Sequence, residues 1–287
     1  MPDTAIEPRP WKEGFVEGMP FEEYAAVDAL NGSALVHLRR SPMYFKYLWE
    51  HPQPPTQSMV LGAATHQLIL EPNRVGDFAV WGTLPEEKVR NGKVWNNFKD
   101  LNKDAVIVTK DERDTMVGIS VAVAKSAPAA KYIRAEGQTE LSMFWIDSQT
   151  KMRMKGRIDK IVEKGHTIVD LKTTRDCRHW MFSKQAFALG YHIKAAMYAS
   201  GYKTLTGHDP SFKFIAVEKN PPHECAVYHA SKDLMIQGQI DLQALLIRLM
   251  ECYETQEWPP EMVEESDLRL PEYAYADADE LADLVYE

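Results

Sequence analysis

The apolar positions change period along the chain, and the changes mark out its elements. The first stretch has helical spacing. Asn31-Gly32-Ser33 precedes an amphipathic segment, Ala34 to Arg40, with Ser33 as its expected N-cap. Ser41-Pro42 has the cap-plus-proline chemistry of a second start, running through Tyr44, Phe45 and Trp49. The run His51-Pro52-Gln53-Pro54-Pro55 breaks the pattern. Ser58 is the expected cap of a helix from Met59 to Leu70, ending before Pro72. A mixed region follows, then a helix from about Thr109 to Lys125. The middle of the chain switches to strands: Thr139 to Ile146, Lys151 to Val162 and Thr167 to Thr173. Their expected turns are Asp147-Ser148-Gln149-Thr150 and Glu163-Lys164-Gly165-His166. Helical spacing returns over Ser183 to Tyr202. Two short strands follow, Phe212 to Glu218 and Glu224 to His229, and then a helix over Asp233 to Tyr253. There is no internal repeat. The pattern predicts an α/β (α+β) fold with an N-terminal helical elaboration.

Composition narrows the class. The 287 residues are 45% hydrophobic and 26% charged, enough apolar material for a core and too much for global disorder. No apolar run approaches the roughly 20 residues of a membrane span, so no membrane association is expected. The first residues carry no basic or apolar leader, and the cytoplasm is the expected compartment. Three scattered cysteines, Cys177, Cys225 and Cys252, are too few for a four-cysteine zinc or iron–sulfur site. The net charge of −9 resides wholly in residues 261–287, where ten acids face one base. The body is neutral and has room for a local basic groove. The expected division is one domain over 1–258 and an acidic tail over 259–287. The tail reads as a solvated end, or as a strand mimic or docking segment.

The chemistry concentrates in Gly156-Arg157-Ile158-Asp159 and Val169-Asp170-Leu171-Lys172-Thr173. A two-residue turn at Lys164-Gly165 would pair 161 with 168 and set Asp159 opposite Asp170. Arg157 would then face Lys172. Facing carboxylates repel by up to about 1 kcal/mol when exposed, and by more when buried. Both aspartates are flanked by apolar residues, and aspartate is a poor strand former. A divalent cation between them would relieve the repulsion, with Lys172 or Arg157 contributing. The competing reading is a polar strand face with surface ion pairs. A turn at Ser148-Gln149 would set Glu140 opposite Arg157, either as a structural pair or as a further active-site acid.

These residues resemble a known family. Asp159 followed by Asp170-Leu171-Lys172 resembles the D…(D/E)XK signature of the PD-(D/E)XK nuclease superfamily. Gly62 to His66 is similar to the upstream G-xxx-H element of its RecB-like branch. Gly190 to Tyr198 is similar to the downstream Q-xxx-Y element, with Lys194 in place of the glutamine. Residues from about 18 to 258 resemble the RecE-type (exonuclease VIII) group of phages and prophages. The resemblance implies a restriction-endonuclease-like core, a central mixed sheet flanked by helices. It implies metal-dependent phosphodiester hydrolysis, with His66, Asp159, Asp170 and the backbone carbonyl of Leu171 as ligands. Lys172 would orient or deprotonate the attacking water and stabilise developing charge. Hard oxygen ligands suit Mg²⁺, with Mn²⁺ tolerated.

The same resemblance implies a bacterial or phage-encoded exonuclease acting 5′-to-3′ on linear duplex DNA and leaving 3′ overhangs. A RecT-type annealing partner and a homo-oligomeric ring go with it. The alternatives are an endonuclease or a partner-dependent RecB-like nuclease on this core, and a non-catalytic DNA-binding module. Lys194 and Tyr198, one helical turn apart, are candidate contacts to the scissile-strand phosphate. A solvated lysine and a core tyrosine are the plainer reading. Ser33, Arg39 and Arg40 are candidates for a 5′-phosphate or the duplex backbone, or are surface charge.

Overall fold

The computed structural model describes residues 11–72, 78–84, 89–103, 105–164, 166–261, 265 and 267–268. Three short elements open the chain: β1 (Gly14–Val16), α1 (Phe21–Ala26) and β2 (Leu30–Asn31). Helices α2 (Gly32–His37), α3 (Pro42–Glu50) and α4 (Gln57–Leu70) follow. Strands β3 (Phe78–Trp81) and β4 (Val106–Thr109) form a small parallel sheet around α5 (Gly92–Leu101). Next come α6 (Lys110–Lys125), α7 (Ala127–Ile133), β5 (Gly137–Ile146), β6 (Arg153–Val162) and β7 (Thr167–Thr174). The order ends with α8 (His179–Ala188), α9 (Tyr191–Thr206), β8 (Ser211–Glu218), β9 (Cys225–His229) and α10 (Lys232–Thr255).

The main sheet has seven strands in the order β1-β5-β6-β7-β8-β9, with β2 also paired to β6. Strands β7 and β8 run parallel and the rest of that path is antiparallel, so the sheet is mixed, as expected. Its two faces bury separate clusters. On one, Met143, Trp145, Ile158 and Ile168 pack with Leu35 of α2, Ile193 and Met197 of α9, and Leu246 of α10. On the other, Val169, Leu171, Ile215 and Val217 pack with Ile69 and Leu70 of α4 and Ile119 and Val123 of α6. Burial on both faces explains why β7 and β8 read as nearly continuous apolar runs. It also sets α4, which carries His66, across the sheet from α9, which carries Lys194 and Tyr198. No helix among the described residues is long and apolar enough to cross a membrane.

Several local expectations are corrected. Asn31, not Ser33, caps α2 through its side-chain oxygen, which accepts the Ala34 N–H. Thr56, not Ser58, caps α4, and Ser58 instead accepts from Lys219. The helix expected over Ser183 to Tyr202 is two helices, broken where Gly190 adopts φ 65°. A Cβ there would also lie 2.7 Å from Val36, so the break suits glycine twice over. Within the mixed region, β3, α5 and β4 had no predicted counterpart. The remaining major elements stand within a few residues of expectation. Most of the acidic tail lies outside the described residues. Before it, Trp258 stacks on Phe45 and Pro259 accepts the Met43 N–H.

Lys155 on β6 ties α1 to the sheet. It is buried, and its ammonium donates to the carbonyls of Tyr24, Ala25 and Val27 at 3.0, 2.9 and 2.7 Å. These carbonyls lie at and just past the C-terminal end of α1, where backbone partners run out; only that of Tyr24 also accepts a backbone N–H, from Val27 at 3.4 Å. Burial pushes the Lys155 pKa down to about 8, against the pull of Asp28. Lys155→Met removes the ammonium from all three carbonyls, of which only that of Tyr24 keeps a backbone donor, so about 3 kcal/mol of stability is expected to be lost. Urea unfolding of both chains measures it. An unchanged midpoint would show that water replaces the ammonium at no cost.

Candidate active site

The site forms where β6 and β7 part. They pair at Val162–Thr167, Ile161–Ile168 and Lys160–Val169, the register expected from a Lys164-Gly165 turn. Gly165 itself lies outside the described residues. Continued, that register would set Asp159 opposite Asp170, but the ladder stops one step short. The Asp159 carboxylate instead accepts the Leu171 N–H at 2.8 Å. A side chain thus satisfies a backbone donor that the open strands leave over.

On the other edge of β6 the expected register is corrected. Arg157 faces Ser142, not Glu140. The reason is the turn: Asp147 Oδ1 accepts from the N–H groups of Gln149 and Thr150 and from the Thr150 hydroxyl. Lys151 closes the turn with φ 60°, and β6 starts at Arg153 rather than Lys151. The slip is two residues, so Glu140 keeps its side of the sheet but moves one rung, to the level of Asp159. Glu140 has φ 49°, and regular pairing is interrupted there, between Thr139–Lys160 and Leu141–Ile158. From α4, His66 Nδ1 comes to 3.5 Å from Asp159 Oδ2. The ligand atoms of His66, Glu140 and Asp159 all lie within 4.8 Å of one another.

Beside this group, Asp170 and Lys172 form a tight pair, Nζ to Oδ2 at 2.5 Å. They are two apart on β7 and so share a face. Burial pushes the Asp170 carboxyl up; Lys172 pulls it back and Asp159 repels it further. For Lys172 burial opposes the charge, but the carboxylates of Asp170 and Asp159 outweigh it and hold the ammonium above the ordinary lysine value. The Lys172 ammonium also sits 5.3 Å from the Tyr191 ring centre. Behind the pair, the Thr174 hydroxyl donates to Gln185 at 2.7 Å, and Gln185 donates to the Tyr191 hydroxyl at 3.4 Å. The sequence singles out neither Gln185 nor Tyr191, because neither stands at a motif position.

From α9, Lys194 and Tyr198 approach from the far face. Burial and the nearby Lys172 charge push Lys194 down to about pKa 8, with Asp170 opposing. Tyr198 packs its ring at Gly156, where a Cβ would lie 2.9 Å away. Burial raises its phenol well above the ordinary value, and Tyr24, Asp170 and Asp159 add to the effect. At Gly62 a Cβ would meet only the Thr173 hydroxyl, at 4.0 Å, which is ordinary contact.

Of the N-terminal candidates, both arginines are already engaged. Arg39 donates to the Phe187 carbonyl at 2.8 Å, at the end of α8. Arg40 lies over the Tyr44 ring at 4.2 Å, and Ser33 is exposed. Arg157 donates to the Met19 carbonyl at 2.6 Å and to the Ser142 hydroxyl at 3.2 Å. A second potential ligand group, Cys177, Glu218 and Glu224, lies beyond β7. There Glu218 accepts the Cys177 N–H at 2.9 Å, and burial with the two carboxylates pushes the thiol up to about 11.

The first group fits a divalent cation. It offers two carboxylates and an imidazole, a donor set suited to Mg²⁺ or Mn²⁺. The fold is that of the PD-(D/E)XK class. Residues 33–268 match the model of the PDDEXK-like domain of unknown function (DUF3799), and the chain belongs to that family. Among solved structures it is similar to one from Eubacterium rectale described as a "Putative exonuclease". That similarity has 14% identity and a TM-score of 0.61, covering 88% of this chain and 96% of the other. SSO0001 is 13% identical at a TM-score of 0.30, covering 70% of this chain and 89% of its own, too distant to inform the fold. No curated protein matches the sequence.

Proposed function

We propose that the protein is a Mg²⁺-dependent DNA exonuclease that works from the ends of linear duplexes. The observation that carries the reading is the convergence of His66, Glu140 and Asp159 at the opened ladder, beside the Asp170–Lys172 pair. His66, Glu140 and Asp159, with Asp170 alongside, would hold the cation; the Leu171 carbonyl is the further ligand that the RecE resemblance adds. The bound ion supplies a Lewis acid that activates water and offsets charge on the phosphate. Lys172, held as an ammonium by Asp170, stabilises the charge that develops on the phosphoryl oxygens. Lys194 and Tyr198 position the scissile strand from α9. Exonuclease action is supported by the RecE resemblance and by the description of the Eubacterium rectale neighbour. The 5′-to-3′ polarity, the 3′ overhang, the RecT-type partner and the ring rest on the resemblance alone.

The test uses linear duplexes labelled at one 5′ or one 3′ end, and a covalently closed circle. The expected result is Mg²⁺-dependent loss of the linear DNA, early release of the 5′ label and an intact circle. Cutting of the circle would replace the reading with an endonuclease. DNA binding without cleavage in Mg²⁺ or Mn²⁺ would leave a non-catalytic module.

A further inference from the structure

Phe21, the first residue of α1, is 63% exposed. Two buried or half-buried cations of β6 fix the helix beneath it. Lys155 holds its C-terminal carbonyls, and Arg157 holds Met19 and Pro20 just before it. The Arg157 guanidinium lies 5.7 Å from the Phe21 ring centre and 4.8 Å from that of Tyr24. Arg157 precedes Asp159 by two residues on β6, and its partner Ser142 follows Glu140 by two on β5. Arg157, over which the Phe21 ring lies, is therefore rooted one rung, about 6.7 Å of strand, along from Asp159. Glu22 and Glu23 follow in the first turn of α1 and disfavour a phosphate chain against the helix. A ring flanked by acids, with a cation beneath it, suits the π-face of a base better than a backbone.

We propose that Phe21 is the stacking platform for an unpaired base of the DNA strand beside the bond to be cut. The identity of the ligand rests on the nuclease reading above; the platform itself rests on α1 and β6. It makes Phe21 a positioning residue that holds a frayed end in line with the site.

The experiment uses full-length protein and duplexes carrying 2-aminopurine at the first, second or third nucleotide of one end, in EDTA. Binding is expected to quench the fluorescence at one of these positions. Phe21→Ala should abolish that quench and weaken binding about tenfold, while Phe21→Trp keeps both. Phe21 is exposed, so the alanine chain should unfold at the wild-type midpoint. Equal quenching and affinity in wild type and Phe21→Ala would overturn the platform. Turnover in Mg²⁺ is measured in parallel. Cleavage with no Phe21-dependent quench removes the platform and leaves the nuclease. Quenching with no cleavage removes the nuclease and leaves the platform.

Discussion

Lys172→Met is expected to lower DNA cleavage by about a thousandfold and to destabilise the fold by about 3 kcal/mol. The two losses have different origins. Cleavage falls because, among the described residues, no other ammonium is placed beside the carboxylate group with its charge held by a partner. Lys194 is near, but burial and the Lys172 charge depress its pKa to about 8. Stability falls because Asp170 is left buried without its counter-ion. The side chains of Lys172 and Asp170 are 20% and 10% exposed, so partial solvation places the cost at the low end for a buried pair. Adding Asp170→Asn removes the orphaned charge. The double variant should recover stability to within about 1 kcal/mol of wild type and recover no cleavage. Urea unfolding and single-turnover cleavage separate the two effects. A double variant that cuts DNA would show that the pair is structural and the chemistry lies elsewhere. A single Lys172→Met chain with normal stability would show that Asp170 takes up a proton or water at little cost.

How much of this was legible in the sequence depends on how local each determinant is. The β6–β7 register followed from a short turn between two apolar runs, because such a connection leaves few alternative pairings. That Asp170 and Lys172 share a face followed from strand period alone; their ion pair is a finding of the structure. The β5–β6 register did not, because one side chain, Asp147, makes three bonds inside the turn and lengthens it. That displaced Arg157 from Glu140 to Ser142. The break at Gly190 was missed because apolar spacing continues across it, and only the approach of Val36 from α2 makes the left-handed glycine useful. His66 could be named only through the four-part motif. Its proximity to Asp159 is set by the packing of Ile69 and Leu70 against the sheet, a tertiary fact. Tyr191 and Gln185 were invisible because their contacts with Lys172 and Thr174 join α8 and α9 to β7 and depend on tertiary packing.

Glu140 is where the corrected register changes a role. Opposite Arg157 it could have been half of a structural ion pair. At the level of Asp159, and within 4.8 Å of the His66 and Asp159 ligand atoms, it is a metal ligand in the proposed site. Glu140→Gln keeps the shape and removes the charge. It should weaken Mn²⁺ binding by about 10- to 100-fold, read by calorimetric titration of the full-length protein. Cleavage at low metal should fall in proportion and return as Mn²⁺ is raised, because saturation replaces lost affinity. The Lys172→Met chain should stay inactive at every metal concentration, since its defect is not affinity. The Ser142–Arg157 contact is untouched by the substitution, so the unfolding midpoint should move little. A Glu140→Gln chain that binds Mn²⁺ as tightly as the wild type would remove Glu140 from the ligand set. The cation would then belong to His66, Asp159 and Asp170, the set that the motif resemblance implies.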